Sequence, residues 1–313
     1  MLVQRSQQLS PTTNELLNIC PRFRILVIGK TGIGKSSLIN RAFGIKEAAD
    51  GKRGYANIEK ELISEQNDRF ILHDSRGLEP GERVNYGAIT SFIHRRRSHP
   101  DVKERLHAVW FCFQIPLVDH GERLMERGME EFLRMKREVF GNVPTIFVFT
   151  KYDKLLDYIE GMSDDVEMDP EQQAEDYLKK YCIGPIQQLT KEHNIPPIAV
   201  TMRRGYELMH ERLIELTFKE VSECFTAQLD EPSPVPVVTM IAQRMVPSLK
   251  IEGSIQVGRR RYWRALASSP NFRGYTIWDC LGVIHTDIIS VWNFHDPSGV
   301  RLLLHHFHFG SVL

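Results

Sequence analysis

Nowhere does an apolar run approach the ~20 residues that a membrane-spanning helix requires, and the polar stretch Met1 to Cys20 lacks the apolar core of a signal peptide. Cysteine is scarce. The five cysteines, Cys20, Cys112, Cys182, Cys224 and Cys280, are scattered without a CxxC pair, which speaks against both a zinc site and a disulfide framework. An excess of either charge is missing too: forty basic residues balance forty acidic ones, so no global field draws the chain to nucleic acid or to an anionic membrane. These absences lead to the expectation of a soluble chain in a reduced, cytoplasmic compartment, without a transmembrane segment. What is present is a 42% hydrophobic composition over 313 residues, enough for one large domain or a core domain with a smaller companion.

The most informative stretch runs from Phe23 to Ile39. An apolar, β-branched strand pattern (Phe23 to Ile28) ends in Gly29-Lys30-Thr31-Gly32-Ile33-Gly34-Lys35-Ser36-Ser37, after which apolar residues recur at helical spacing. Glycines at 29, 32 and 34 let backbone approach a phosphate closely and supply dihedrals other residues avoid, so that successive N–H groups can surround it. The helix opening near Ser36 adds its positive end. Lys35 is placed to neutralise the phosphates, and the Ser36 hydroxyl to hold Mg²⁺. A tight turn of no function would not need the strand before it and the helix after it.

Two shorter words follow. Arg69 to Asp74 reads as a strand ending in an acid, and Asp74-Ser75-Arg76-Gly77 continues it. Asp74 can hold a Mg²⁺-bound water while the Gly77 N–H meets a terminal phosphate; open parallel sheets bind ligands at such strand ends. Taken alone, DxxG is a weak signal. Further on, Val143 to Thr150 reads as a buried strand closing in Thr150-Lys151-Tyr152-Asp153. The Asp153 carboxylate can accept two hydrogen bonds from the ring N–H and exocyclic amine of guanine, a donor pair adenine lacks, and the Lys151 stem can lie over the base. Thr201-Met202-Arg203, after a last short strand, falls where backbone N–H groups could meet the guanine O6.

The remaining pattern sets these words in order. Residues 1 to about 20 read as a flexible lead, and 46 to 57 as a mobile loop. Ile58 to Ser64 reads as an edge strand in a hairpin with Arg69 to Asp74. Helices are expected over 84–99, Gly121 to Gly141, Glu171 to His193 and Tyr206 to Phe225, the last with Leu208, Leu213, Leu216 and Val221 inward. Arg95-Arg96-Arg97 reads as a solvated helix end, and the stripe Met125, Met129, Met135 as packing rather than a cofactor box. Asp230 to Pro236, rich in proline, marks a boundary, so the chain divides into a lead (1–20), a nucleotide-binding domain (21–228), a linker (229–236) and a helical C-terminal unit (237–313). In that unit Trp263, Trp278 and Trp292 read as packing anchors. His305, His306 and His308 lack the cysteine or carboxylate company of a metal site.

With the three words in this order, the first ~225 residues resemble a G domain of the translation-factor-related P-loop GTPases. The resemblance implies a doubly wound, mostly parallel α/β sheet with the helical extension behind it, GTP and GDP as ligands and Mg²⁺ as cofactor. The Gly29 to Ser37 loop is similar to that of septins and the Toc/avirulence-induced group, Leu78 is similar to Era-like enzymes, and the full chain resembles fungal G-domain-containing proteins. Two departures bear on turnover. Leu78 stands where Ras-type enzymes carry a water-orienting glutamine, and residues 41 to 73 contain no threonine for the usual switch contact. Slow hydrolysis is expected unless a partner protein, or a second copy across the nucleotide face, supplies the missing group; Arg76 is a weaker internal substitute. Two rivals remain: a P-loop ATPase or kinase, which leaves Thr150 to Asp153 unexplained, and a scaffold that binds GTP without turning it over.

Overall fold

The computed structural model describes residues 10–45, 58–75, 83–162, 169–226, 233–259 and 277–293. Its centre is a six-stranded sheet built from β1 (Phe23–Ile28), β2 (Leu62–Ser64), β3 (Asn67–Asp74), β4 (Ala108–Gln114), β5 (Thr145–Thr150) and β6 (Ile198–Val200), in the spatial order β2-β3-β1-β4-β5-β6. Only the β2–β3 hairpin is antiparallel; the other neighbours run parallel. Continuous apolar runs suit strands covered on both faces, and all six side chains of β1 are buried.

Alternate residues of these strands feed two cores. Leu26, Val109, Phe111, Phe147 and Phe149 face the helices α3 (Arg83–Arg97), α4 (Arg127–Arg134), α5 (Lys136–Phe140) and α6 (Tyr152–Met162), with α7 (Pro170–Leu178) and α8 (Gly184–Thr190) beyond. Phe23, Ile25, Val27, Trp110 and Val148 face α2 (Lys35–Phe43), α9 (Glu207–Thr226) and α10 (Val235–Ala242). The helices after the proline-rich stretch therefore reach the sheet: Val235, Val238 and Met240 of α10 lie in the second core. A third cluster, Leu16, Val237, Ile241, Val257 and Val291, joins α1 (Thr12–Ile19), α10, α11 (Pro247–Gly258) and α12 (Ile277–Trp292).

The structure departs from the sequence pattern in five places. The stretch read as a lead holds α1, because the buried Asp287 carboxylate accepts the Thr12 and Thr13 N–H groups (3.0 and 2.8 Å) and the Thr13 hydroxyl (2.6 Å); a carboxylate 275 residues away leaves no local signal. The single helix expected over 121–141 is two, α4 and α5, broken at Met135, whose side chain is exposed while Met125 and Met129 are buried. Glu171 to His193 is interrupted by a π turn at Lys179–Ile183. Arg95, Arg96 and Arg97 are not free in solvent: they engage Glu59, Glu104 and the Glu138 and Val139 carbonyls, tying the end of α3 to its neighbours. Leu208, expected inward, is 76% exposed, whereas Leu213 and Val221 are buried.

Candidate functional site

At the carboxyl end of β1 the chain must turn beneath the neighbouring strand. A Cβ on Gly29 would sit 2.5 Å from Ile33 Cδ1 and 2.6 Å from the Cys112 carbonyl oxygen, so the β4 backbone itself excludes any larger residue. Gly34 meets no such neighbour; its φ of 97° is the reason for glycine there, and it forms the left-handed N-cap of α2. Ile33 is buried in the second core and anchors the loop, while Thr31 and Ser37 stay exposed. The Lys35 ammonium folds back over the loop and donates to the Gly29 and Lys30 carbonyls at 2.8 and 2.9 Å. Lys30 turns the other way and pairs with Glu126 at 3.0 Å.

β3 delivers Asp74 beside this loop, since the parallel register sets Asp74 opposite Val27, two residues before Gly29. Ser75 locks the turn by donating both its N–H and its hydroxyl to the Val27 carbonyl, each at 3.2 Å. Burial pushes the Asp74 carboxyl above its ordinary range, and the Lys35 charge opposes that shift. Its Oδ1 is buried and has no hydrogen-bond partner among the described residues. A buried carboxylate oxygen without a partner, at a strand end that the Lys35 charge reaches, suits a hard divalent cation, which takes oxygen ligands. The residues present thus fit Mg²⁺. Arg76, Gly77 and Leu78 lie outside the described residues.

A third loop closes the same edge of the sheet. Lys151, directly after β5, is held at φ 62°, an uncommon conformation for a side-chain-bearing residue. Its ammonium donates to Gln114 Oε1 at 2.7 Å, and burial lowers its pKa, as does Lys154. The Thr150 hydroxyl donates to the Phe113 carbonyl (3.1 Å), so both residues are tied to the end of β4. Asp153 lies in the first turn of α6, and its Oδ1 accepts the Thr201 hydroxyl at 2.7 Å. Thr201 in turn accepts the Arg203 N–H at 3.1 Å, while the Arg203 guanidinium spans both oxygens of Asp157 (2.6 and 2.8 Å).

The structure therefore brings Lys35 and Asp74 together at the ends of β1 and β3, and joins Asp153 to Thr201 at the ends of β5 and β6. A cleft of about 490 Å³ beside the phosphate loop is lined by Lys30, Thr31 and Ile33 on one side and by Gln114 and the 121–126 segment on the other. Gln114 and Glu126 were not singled out from the sequence. For Gln114 a signal existed: it is the one polar residue ending an otherwise apolar strand. Glu126 sits 96 residues from Lys30 and had none. Among the described residues no group of His, Cys, Asp and Glu could itself hold a metal, and no helix is long and apolar enough to cross a membrane. His305, His306 and His308 lie outside the described residues.

Strand order, glycine-rich strand-to-helix turn and acid-ended third strand define a P-loop nucleotide-binding domain. Residues 24–151 match the model of a family described as 50S ribosome-binding GTPase. That match spans 128 of the 313 residues and makes this part of the chain similar to a GTPase domain. Among solved structures, a probable GTP-binding protein engB is similar at 18% identity with a TM-score of 0.39, over 64% of this chain and 99% of that one. A dimerization-deficient mutant of Toc33 from Arabidopsis thaliana is similar at 15% identity with a TM-score of 0.42, over 69% and 95% of the two chains. No curated protein matches.

Proposed function

We propose that the chain is a GTP-binding switch whose own hydrolysis is slow and is assisted by a partner or a second copy. Lys35 neutralises the phosphates and the backbone N–H groups of Gly32 to Ser37 cradle them. Gly77 presents its N–H to the terminal phosphate, and Asp153 selects guanine. Ser36 and Asp74 would hold Mg²⁺, which would supply charge neutralisation to the phosphates. Leu78 offers no hydrogen bond to an attacking water, and no threonine stands between residues 41 and 73; turnover is accordingly limited by what this chain lacks. The helices after residue 236 report the nucleotide state by docking or release.

One observation carries the reading: the carboxylate proposed to read the base is held in place by Thr201, on the strand-end edge that also carries the phosphate loop. An Asp153→Asn variant should shift preference from guanine towards xanthine nucleotides in a competition binding assay. Unchanged preference would defeat the assignment, and ATP competing as well as GTP would favour the P-loop ATPase or kinase reading. Release of phosphate that stays absent at every protein concentration would leave a GTP-bound scaffold in its place.

A further inference from the structure

At the amino ends of β5 and β6, opposite the phosphate loop, a groove of about 520 Å³ runs from α5 on one face of the sheet to α9 on the other. Its size falls within the roughly 300–1,000 Å³ of sites that enclose a ligand, and none of its residues belongs to the nucleotide site. α9 presents Leu216, Glu220 and Glu223, four and three residues apart and therefore on one face of the helix. α5 contributes Lys136, β5 contributes Phe147, and the chain ahead of β6 contributes Glu192.

Three carboxylates face one ammonium in this groove, so negative charge is left over. Lys136 pairs with Glu192 and its ammonium lies 5.6 Å from the centre of the Phe147 ring. The groove thus already accommodates one aliphatic stem that ends in a cation. Glu223 reaches Lys219 at 3.9 Å, an exposed pair of little strength. Glu220 is half-buried and makes no hydrogen bond or ion pair among the described residues. Burial raises its pKa, as does Glu223, while Lys219 and Lys136 oppose the shift. Among the described residues no acidic group is arranged to hold a metal ion, and a phosphate-bearing ligand would be repelled. An organic cation is the complement that remains.

We infer that this groove docks a polypeptide partner through a lysine or arginine side chain, whose stem lies along Leu216 and whose charge pairs with Glu220. A long basic side chain suits such a wall because it buries its methylenes on apolar surface and keeps its charged head at the edge. Asn142 and Asn194, exposed at the rim, offer amides to the backbone that carries it.

The test pans a random display library of linear peptides on the full chain and on Glu220→Lys, then titrates the selected peptides into each protein. Peptides captured by the unmodified chain should carry lysine or arginine well above the library frequency; those captured by Glu220→Lys should not. Glu220→Gln should weaken the selected peptides about 10-fold, the range for a hydrogen bond to a charged group. Glu215→Gln, exposed on the same helix but outside the groove, should leave them unchanged. Both glutamine variants should melt with the unmodified chain, since neither carboxylate makes a hydrogen bond or ion pair among the described residues. A library without binders, binders without basic enrichment, or equal losses in the two glutamine variants would overturn the assignment. So would saturable binding of spermidine that the peptides fail to displace, which would give the groove to a small cation. None of these outcomes depends on nucleotide binding.

Discussion

Arg24 is a charge placed in the middle of a sheet. It is 2% exposed, and its guanidinium lies 2.5 Å from Glu61 and 2.8 Å from His73 Nε2, with the Lys103 carbonyl at 3.2 Å. Its own N–H donates to Nδ1 of the buried His107, whose Nε2 meets the Val102 carbonyl. Burial holds both histidines at a pKa of about 4, and the Arg24 charge adds to the shift. Their folded pKa lies below the ordinary 6.5, so the unfolded chain takes up protons first as pH falls. The stability they carry is complete above pH 6.5 and is lost between pH 6.5 and pH 4, at most roughly 3 kcal/mol each. Denaturant unfolding across that window should show a steep acid limb, and His107→Gln should flatten it. At the same scale, Thr201→Val should leave Asp153 without its hydroxyl donor and cost about 10-fold in guanine nucleotide affinity, read by titration. Residues of this kind divide sharply in how legible they were. Lys35, Asp74 and Asp153 are set by words of four to nine letters; Gln114 and Glu126 act through partners whose positions only folding reveals.

Elements were easier to read than their boundaries. β1, β4 and β5 announce themselves because a strand covered on both faces is apolar throughout, and the β2–β3 hairpin follows from its alternation. Breaks inside helices were unequally legible: the split at Met135 falls among ordinary helix formers, whereas the π turn at Lys179–Ile183 runs into Gly184-Pro185, whose proline lacks the N–H an unbroken ladder would use. The phosphate loop is the element with least freedom. Gly29→Ala drives a Cβ to 2.6 Å from the Cys112 carbonyl oxygen, and a strand backbone cannot retreat. That substitution should destabilise the fold by ~1–3 kcal/mol by thermal melting and abolish detectable nucleotide binding. Gly34→Ala has open space and meets only the conformational cost at φ 97°, about 1–2 kcal/mol; it should fold and bind weakly. The contrast separates steric need from dihedral need within one turn.

At the scale of the molecule, the C-terminal helices are bound into the domain by polar groups that hydropathy does not display. Asn67, at the tip of the hairpin, donates to the Phe43 and Ala242 carbonyls (both 2.8 Å) and accepts from Asn293 (3.0 Å). Arg244 donates to the Gln66 and Asn293 carbonyls. The buried Lys250 donates to the Ile241 and Val291 carbonyls at 2.5 and 3.2 Å, and burial lowers its pKa to about 7. Asp287→Ala should strip the cap from α1 and cost ~2–4 kcal/mol, since two N–H groups lose a charged acceptor; limited proteolysis should then cut within residues 12–19 before the sheet is attacked. That same carboxylate has a consequence for biosynthesis. The opening amides of α1 find their acceptor only when residue 287, some 275 residues further on, has left the ribosome. Until then Leu16 also waits for Val257 and Val291, so the nascent protein carries an unfinished seam while the whole sheet is being made. Ribosome-stalled chains ending before and after that residue should differ in how readily the N-terminal segment is digested.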